Sequence, residues 1–471
     1  MNPPPVLDDE FKFDHRDLWR TAMYLAALGQ WSAMLLSSAA LMLALLVPQA
    51  RAQSLMTFKC TGNPDVPWTE QISGCTDAIG SGHYSGTELA MALNNRGVAY
   101  LNTGDIDRAI SDYGRSIKLA PDAAAPLNGR GTAYAAKGDF AQALADYHQS
   151  LQLAPHYALA LNNRGFLYAL QRDFDRAIAD YDEALRAKPD YVMAYVNRGE
   201  VYAAKDDHAH AVADFTEALR LDPKNVKAYN LRGLQYAMKG EFDLAVADYD
   251  TAIGLNPNDP GLYTGRGDVY RNKGDRGHAL ADLGNAVTLD PKYRLAYDLR
   301  GRVYQDEGEF DQALADYSVA IAINANDFLA YDGRGVVYKA KGEFDRAVVE
   351  FTAAIKFDPT DAGAYSNRAS IYAAHGKLDL AINDYSRAID IIPTDAVAYT
   401  YRAAVYKAKG DFALALADYN KAIELDPLYS DAYRERGSLY EDKGDLAHAT
   451  ADYDKAEKVG IQSLLRPKTP K

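Results

Sequence analysis

Cysteine is almost missing from this chain: two in 471 residues, Cys60 and Cys75. Two thiols cannot complete a tetrahedral metal shell and no histidine stands near them before His83, so a zinc site there is excluded. Histidines number nine and are scattered singly, except His208 and His210 beside Asp206 and Asp207. A two-residue spacing does not stack that pair on one helix face, so no metal site is expected. Positive charge is in deficit too, with 51 Lys and Arg against 65 Asp and Glu, a net charge of −14. Phosphate backbones would be repelled, which disfavours nucleic-acid partners. No Ser/His/Asp or Cys/His constellation can be assembled, and Gly265-Arg266-Gly267 follows no strand, so it is no phosphate loop. No cofactor is expected.

What the chain has is a period. Eleven Arg-Gly or Arg-Ala pairs recur every 34 residues from Arg96-Gly97 to Arg436-Gly437. With Gly97 as position 8, the repeats run from Ala90 to Ser463, so 11 × 34 = 374 of 471 residues are repeat. Each unit is too small to bury its own apolar face and must stack on its neighbours. Position 4 is Leu or Tyr, position 8 is Gly except at Ala369 and Ala403, and position 11 is always Tyr. Spacings of four and three place these on one face of a first helix. A turn marked by glycines such as Gly104 and Gly138 follows, with Arg172 and Asp206 in repeats three and four. Position 20 is always Ala, position 24 Tyr, Phe or Leu283, and position 27 Ala or Ser. Small residues at 8, 20 and 27 let helices approach, and aromatics at 4, 11 and 24 fill the remaining volume. Prolines from Pro121 to Pro427 end the second helix, with Ala325 as the one gap.

These columns resemble the tetratricopeptide repeat, over about four fifths of the chain. The resemblance implies an all-α, right-handed α-solenoid superhelix of eleven tandem helix pairs, with first helices lining the concave face. It also implies a protein- or peptide-binding role. One departure is systematic. Position 7, commonly apolar in the family, is Arg in all eleven repeats, and position 23 is Asp in ten and Glu350 in the other. Both columns sit on core-facing sides, where an unpaired guanidinium is costly. Each Arg is therefore expected to meet a position-23 carboxylate of its own or the adjoining repeat, as Arg130 with Asp112 or Asp146. The plainer alternative is an Arg that snorkels outward while its acid is solvated.

Only 97 residues lie outside the repeats, which leaves no room for a catalytic domain, so the chain is read as non-enzymatic. Residues 1–52 hold an uncharged stretch between Arg20 and Arg51 that ends in Ala50-Arg51-Ala52, a small-x-small cleavage site. The same stretch is long enough to span a bilayer, so cleaved signal and retained anchor both stand, and membrane association depends on retention. Residues 53–89 read as an N-terminal cap: Trp68, Ile72, Cys75 and Ile79 share a helix face after start signals at Asp65 and Pro67. In an exported chain Cys60 and Cys75 read as a disulfide, and closing about 15 residues contributes roughly 3 kcal/mol in the chain-entropy model. Residues 464–471 form a short tail.

Positions 2, 5, 6, 9, 12 and 13 of the first helices are expected to face the groove. Repeats one to five place Asn94, Asn95, Asn128, Asn162, Asn163, Asn197 and Asn230 there, with Val98, Phe166 and Leu234 between them. Asn pairs with an extended peptide backbone without demanding a sequence, and the row partly resembles the asparagine ladder of O-linked N-acetylglucosamine transferase. Alternatively these amides merely solvate the helix. Repeats six and seven turn charged, with Asp268, Arg271, Asp298, Arg302 and Asp306. The carboxylate clamp of other family members is not matched: Asn197 and Lys227 fit, but Asn162, Phe166 and Leu231 do not. The expected function is a periplasmic or envelope adaptor for a protein or peptide segment, with a self-associating envelope scaffold as the alternative.

Overall fold

A computed structural model describes Cys60, Gly62 and residues 65–464, with side chains to Gly460. Among these residues all 23 regular elements are helices. They fall into two compact units that divide between Lys239 and Gly240, inside the turn of repeat five.

The first unit contains α1 (Trp68–Gly80), α2 (Gly86–Asn102), α3 (Ile106–Leu119), α4 (Ala124–Lys137), α5 (Phe140–Leu153), α6 (Ala158–Leu170), α7 (Phe174–Ala187), α8 (Val192–Ala204), α9 (His208–Leu221) and α10 (Val226–Met238). The second holds α11 (Phe242–Leu255), α12 (Pro260–Asn272), α13 (Arg276–Leu289), α14 (Arg294–Asp306), α15 (Phe310–Ile323), α16 (Phe328–Ala340), α17 (Phe344–Phe357), α18 (Ala362–Ala374), α19 (Leu378–Ile391), α20 (Ala396–Lys409), α21 (Phe412–Leu425), α22 (Ser430–Asp442) and α23 (Leu446–Leu464). Each unit is an all-α solenoid of paired helices.

Every pair turns on one residue with positive φ. Glycine fills that place in nine repeats, whereas Arg172 and Asp206 adopt φ of 61° and 60° in repeats three and four, a conformation that strains an L side chain. The next residue often caps the second helix: Asp105, Asp139, Asp173 and Asp207 accept from the backbone N–H three residues on. Proline is less decisive than its regularity suggests. α15 has Ala325 at the proline column yet stops at Ile323, where the other second helices stop, so packing sets that end and the ring reinforces it.

The core is centred on position 24, not shared equally among the three aromatic columns. Tyr113, Tyr147, Tyr181, Tyr249, Tyr317 and Tyr419 are all but fully buried, and Ala at position 20 lies beside them. A methyl at Gly97 or Gly131 would stand 2.9 or 2.8 Å from the ring of its own repeat, which is why position 8 is small.

At the N-terminal end, Trp68 and Ile72 of α1 pack on the cluster of Val98, Leu101 and Tyr113. Cys60 and Cys75 are joined and buried against Ala92, with Ile79 alongside. This is the expected stapled cap. α2 begins at Gly86, four residues ahead of the first repeat, and runs on into it. Residues 1–52, with the signal or anchor, and the tail beyond Leu464 lie outside the described residues. No described helix is long and apolar enough to cross a membrane.

Candidate functional site

The arginine column is spent on architecture. In nine repeats the guanidinium forks onto the aspartate of its own repeat, as Arg130 donates to Asp146 at 2.8 and 2.7 Å and Arg436 to Asp452 at 2.7 Å twice. Of the two partners foreseen for Arg130, the carboxylate of its own repeat is the one used. Glu350 is longer and takes a single bond, 2.8 Å, from Arg334, whose Nε is left buried without a partner. Arg232 and Asp248 of repeat five fall on either side of the division between units.

The other edge of the fork reaches backward. Arg198 Nη1 donates to Asp182 at 2.5 Å, Arg402 to Ser386 at 3.0 Å and Arg436 to Asn420 at 2.6 Å, each acceptor at position 25 of the preceding repeat. Arg96 has no preceding repeat, and Thr76 of the cap takes that place at 3.1 Å. Tyr at positions 4 and 11 flanks the same group: Arg198 lies 5.7 Å from the Tyr195 ring and 6.0 Å from Tyr202, within cation–π range. The outward-snorkelling alternative therefore fails, because the carboxylates are buried and bound.

The first-helix face has two chemistries. In repeats one to four the asparagines pair across repeats: Asn163 Nδ2 donates to Asn128 Oδ1 at 3.1 Å and to Thr132 Oγ1 at 3.3 Å, and Asn197 Nδ2 to Asn162 Oδ1 at 3.0 Å. Asn95 does the same to the cap, donating to the Cys60 carbonyl at 3.1 Å. Asn128, Asn162, Asn163 and Asn197 are at most 6% exposed, so these amides stitch first helices together where an open row was expected. Asn94, Asn95, Phe166 and Asn230 are half-buried, Val98 lies under the cap, and Leu234 is buried. Asn197 Oδ1 keeps an unfilled acceptor.

In repeats six to eight the first-helix face is ionic. Asp268, 1% exposed, takes two bonds from Arg271, at 3.0 and 2.9 Å. Asp298 and Asp327 both accept from Nη1 of Arg294, the latter at 2.6 Å. Asp332 and Asp361 are each 5% exposed, and Lys339 Nζ donates to Asn367 Oδ1 at 3.2 Å beside them. Burial, then the charge of the neighbouring carboxylate, raises Asp298 and Asp332 well above the carboxylate range, and burial raises Asp361 to about 6. Burial also lowers Lys339. Asp327, Asp332 and Asp361 escaped the groove assignment made from sequence. The signal was present: an acid at position 5 followed 29 residues later by another, as 298 to 327 and 332 to 361. Among the described residues no group of three or more His, Cys, Asp or Glu side chains is arranged to hold a metal ion.

Profiles of the tetratricopeptide repeat match residues 90–123, 122–190, 167–225, 215–247, 260–293 and 396–429. A further TPR repeat profile matches 233–274, 301–342, 335–376 and 369–410. Among solved structures, a tetratricopeptide repeat protein from Parabacteroides merdae is 24% identical, over 53% of this chain and 98% of that one, with a TM-score of 0.43. Yeast Tom70 is 17% identical over 80% and 97%, with a TM-score of 0.43. The APC/C hetero-tetramer Cut9–Hcn1 gives 15% over 89% and 95%, with a TM-score of 0.46. None of the curated proteins compared matches in sequence. Helix pairs and sequence profiles meet in one conclusion: the chain belongs to the tetratricopeptide repeat family.

Proposed function

We propose that this chain is a non-catalytic adaptor that binds an extended segment of a partner protein along the face lined by its first helices. One observation carries it. Columns 7, 8, 20, 23 and 24 are consumed by packing and by the arginine forks, and within each unit the polar residues of the first-helix face change from repeat to repeat, as from Asn94 and Asn95 to Asn230 in the first and from Arg271 to Lys339 and Asn367 in the second. A polar face whose chemistry changes along its length recognises a polymer one segment at a time.

The adaptor is further proposed to act in the periplasm or cell envelope. The Cys60–Cys75 bond supports that reading, since disulfides persist in oxidising compartments, and the small-x-small site before Gln53 supplies the export signal. N-terminal sequencing of the secreted chain should begin at Gln53; a chain that keeps its first 52 residues in the membrane sinks cleavage.

The binding face is tested by selecting ligands from an immobilised peptide array and measuring amide hydrogen exchange with and without them. Protection is expected on α2, α4, α6, α8 and their counterparts in the second unit. Protection confined to second helices overturns the proposal. A mass that grows with concentration in light scattering favours the self-associating scaffold instead.

A further inference from the structure

Repeat seven shows what its buried carboxylate pair requires. Asp298 and Asp327, 6% and 3% exposed, share Nη1 of Arg294, the first residue of α14. One repeat on, the same two columns hold Asp332 and Asp361, but the column of Arg294 is Phe328. The cation is gone and the acids remain. Asp298 Oδ1 is without a hydrogen-bond partner even beside Arg294, but here both acids have such an oxygen, Asp332 Oδ1 and Asp361 Oδ2, and so has Ser366 Oγ, 1% exposed on α18. Nearby cations do not replace it: Lys339 gives its ammonium to Asn367, and Arg302 of α14 acts on both acids by charge alone. Asp361 Oδ1 accepts from the Ala364 N–H at 2.9 Å and Asn367 bonds Asp332, yet among the described residues no cation touches either acid, so the pair keeps capacity for a proton or for a cation from outside.

We propose that Asp332 and Asp361 form the socket for one arginine side chain of the partner segment, placed where Arg294 stands in repeat seven. The proposal rests on the first-helix face being the binding surface. Repeat seven favours a guanidinium over an ammonium, because one planar group there serves two carboxylates on different helices, a geometry suited to its fixed fork. With no guanidinium bound, the buried pair holds a proton more readily than a solvated carboxylate does. On binding, the guanidinium takes over the charge compensation and that proton leaves to solvent. Arg302, Lys339 and Asp358 set the field around it. Arginine binding is therefore stronger above the folded-state titration range of the pair than below it.

The test uses the full chain and fluorescent Gly-Ser peptides with one central arginine, or citrulline, its neutral isostere, read by anisotropy. The arginine peptide should bind about tenfold tighter or more, the size of one charge-assisted contact. Phe328→Arg, which supplies the missing cation internally, and Asp332→Asn should each abolish that preference. Phe328→Met, which alters packing without adding charge, should retain it. Equal affinity for the two peptides, or a preference that survives Phe328→Arg, overturns the socket. So does competition by calcium ions alone, which would make the pair a metal site. Equal binding with first-helix protection leaves the adaptor reading standing while the socket falls; failure of both peptides to bind or protect removes the socket, and only the array decides the adaptor.

Discussion

The two units solve one problem in opposite ways. Position 5 of the first helix is buried in most repeats of both, and apart from Val196 it is polar. In the first unit it is mostly asparagine, whose donor and acceptor are met by the asparagine next door. In the second it is aspartate at Asp298 and Asp332, which can only accept, so neighbouring acids compete for too few donors. An amide at position 5 can be met by an amide at position 6 of the next repeat, which leaves only the last of the row, Asn197, with an unfilled acceptor. A carboxylate needs a donor from elsewhere, and Asp298, Asp332 and Asp361 each keep an oxygen without one.

The contrast should vanish at the arginine forks, which both units share. Arg164→Ala and Arg300→Ala each strand a buried aspartate, Asp180 or Asp316, and should cost about 3 kcal/mol in local stability, measured by hydrogen exchange of the helices involved. Unequal losses would show that the units differ in more than position 5. At position 5 itself the signs should part. Asn162→Ala leaves Asn197 and Asn163 short of partners and should cost about 2 kcal/mol. Asp332→Asn should leave stability unchanged or raise it by about 1 kcal/mol at neutral pH, since it replaces a buried carboxyl, one oxygen of which has no donor, by an amide that never has to ionise.

Acid should sharpen the comparison. Carboxyls raised in the folded state bind protons there more readily than in the unfolded chain. Their contribution is complete below the ordinary carboxylate range and is lost as pH rises through the folded-state values, about 6 for Asp361. Urea midpoints for α14 to α18 should therefore rise, relative to Asp332→Asn, as pH falls from 7 toward 5, while α4 to α8 should follow no such difference. The smallest effect belongs to the first unit alone: Asp206→Gly should relieve the left-handed strain and stabilise by about 1 kcal/mol, seen as a higher Tm.

Repeat number, pairing and core columns were legible because one 34-residue period is sampled eleven times. The arginine–carboxylate pairing could be foreseen for the same reason, since a charge fixed in a core-facing column demands a partner. The fate of the asparagines could not be read from one column, because it depends on how Asn163 meets Asn128 of the preceding repeat. A longer period also hid in plain view. Lys137, Lys205, Lys273, Lys341 and Lys409 recur every second repeat, and each reaches an aspartate of the repeat before it, from Asp107 to Asp379, at 2.6–2.9 Å. Column-by-column inspection averages such alternation away. These pairs are exposed, and each contributes well under about 1 kcal/mol.

Thr76 offers the first arginine what Asp182, Ser386 and Asn420 offer later ones. Because the cap and the repeats end in compatible acceptors, excising one whole helix pair rejoins edges that still match. Such an array can lengthen or shorten by unequal recombination without redesigning its junctions, and its reach along a ligand is thereby open to selection.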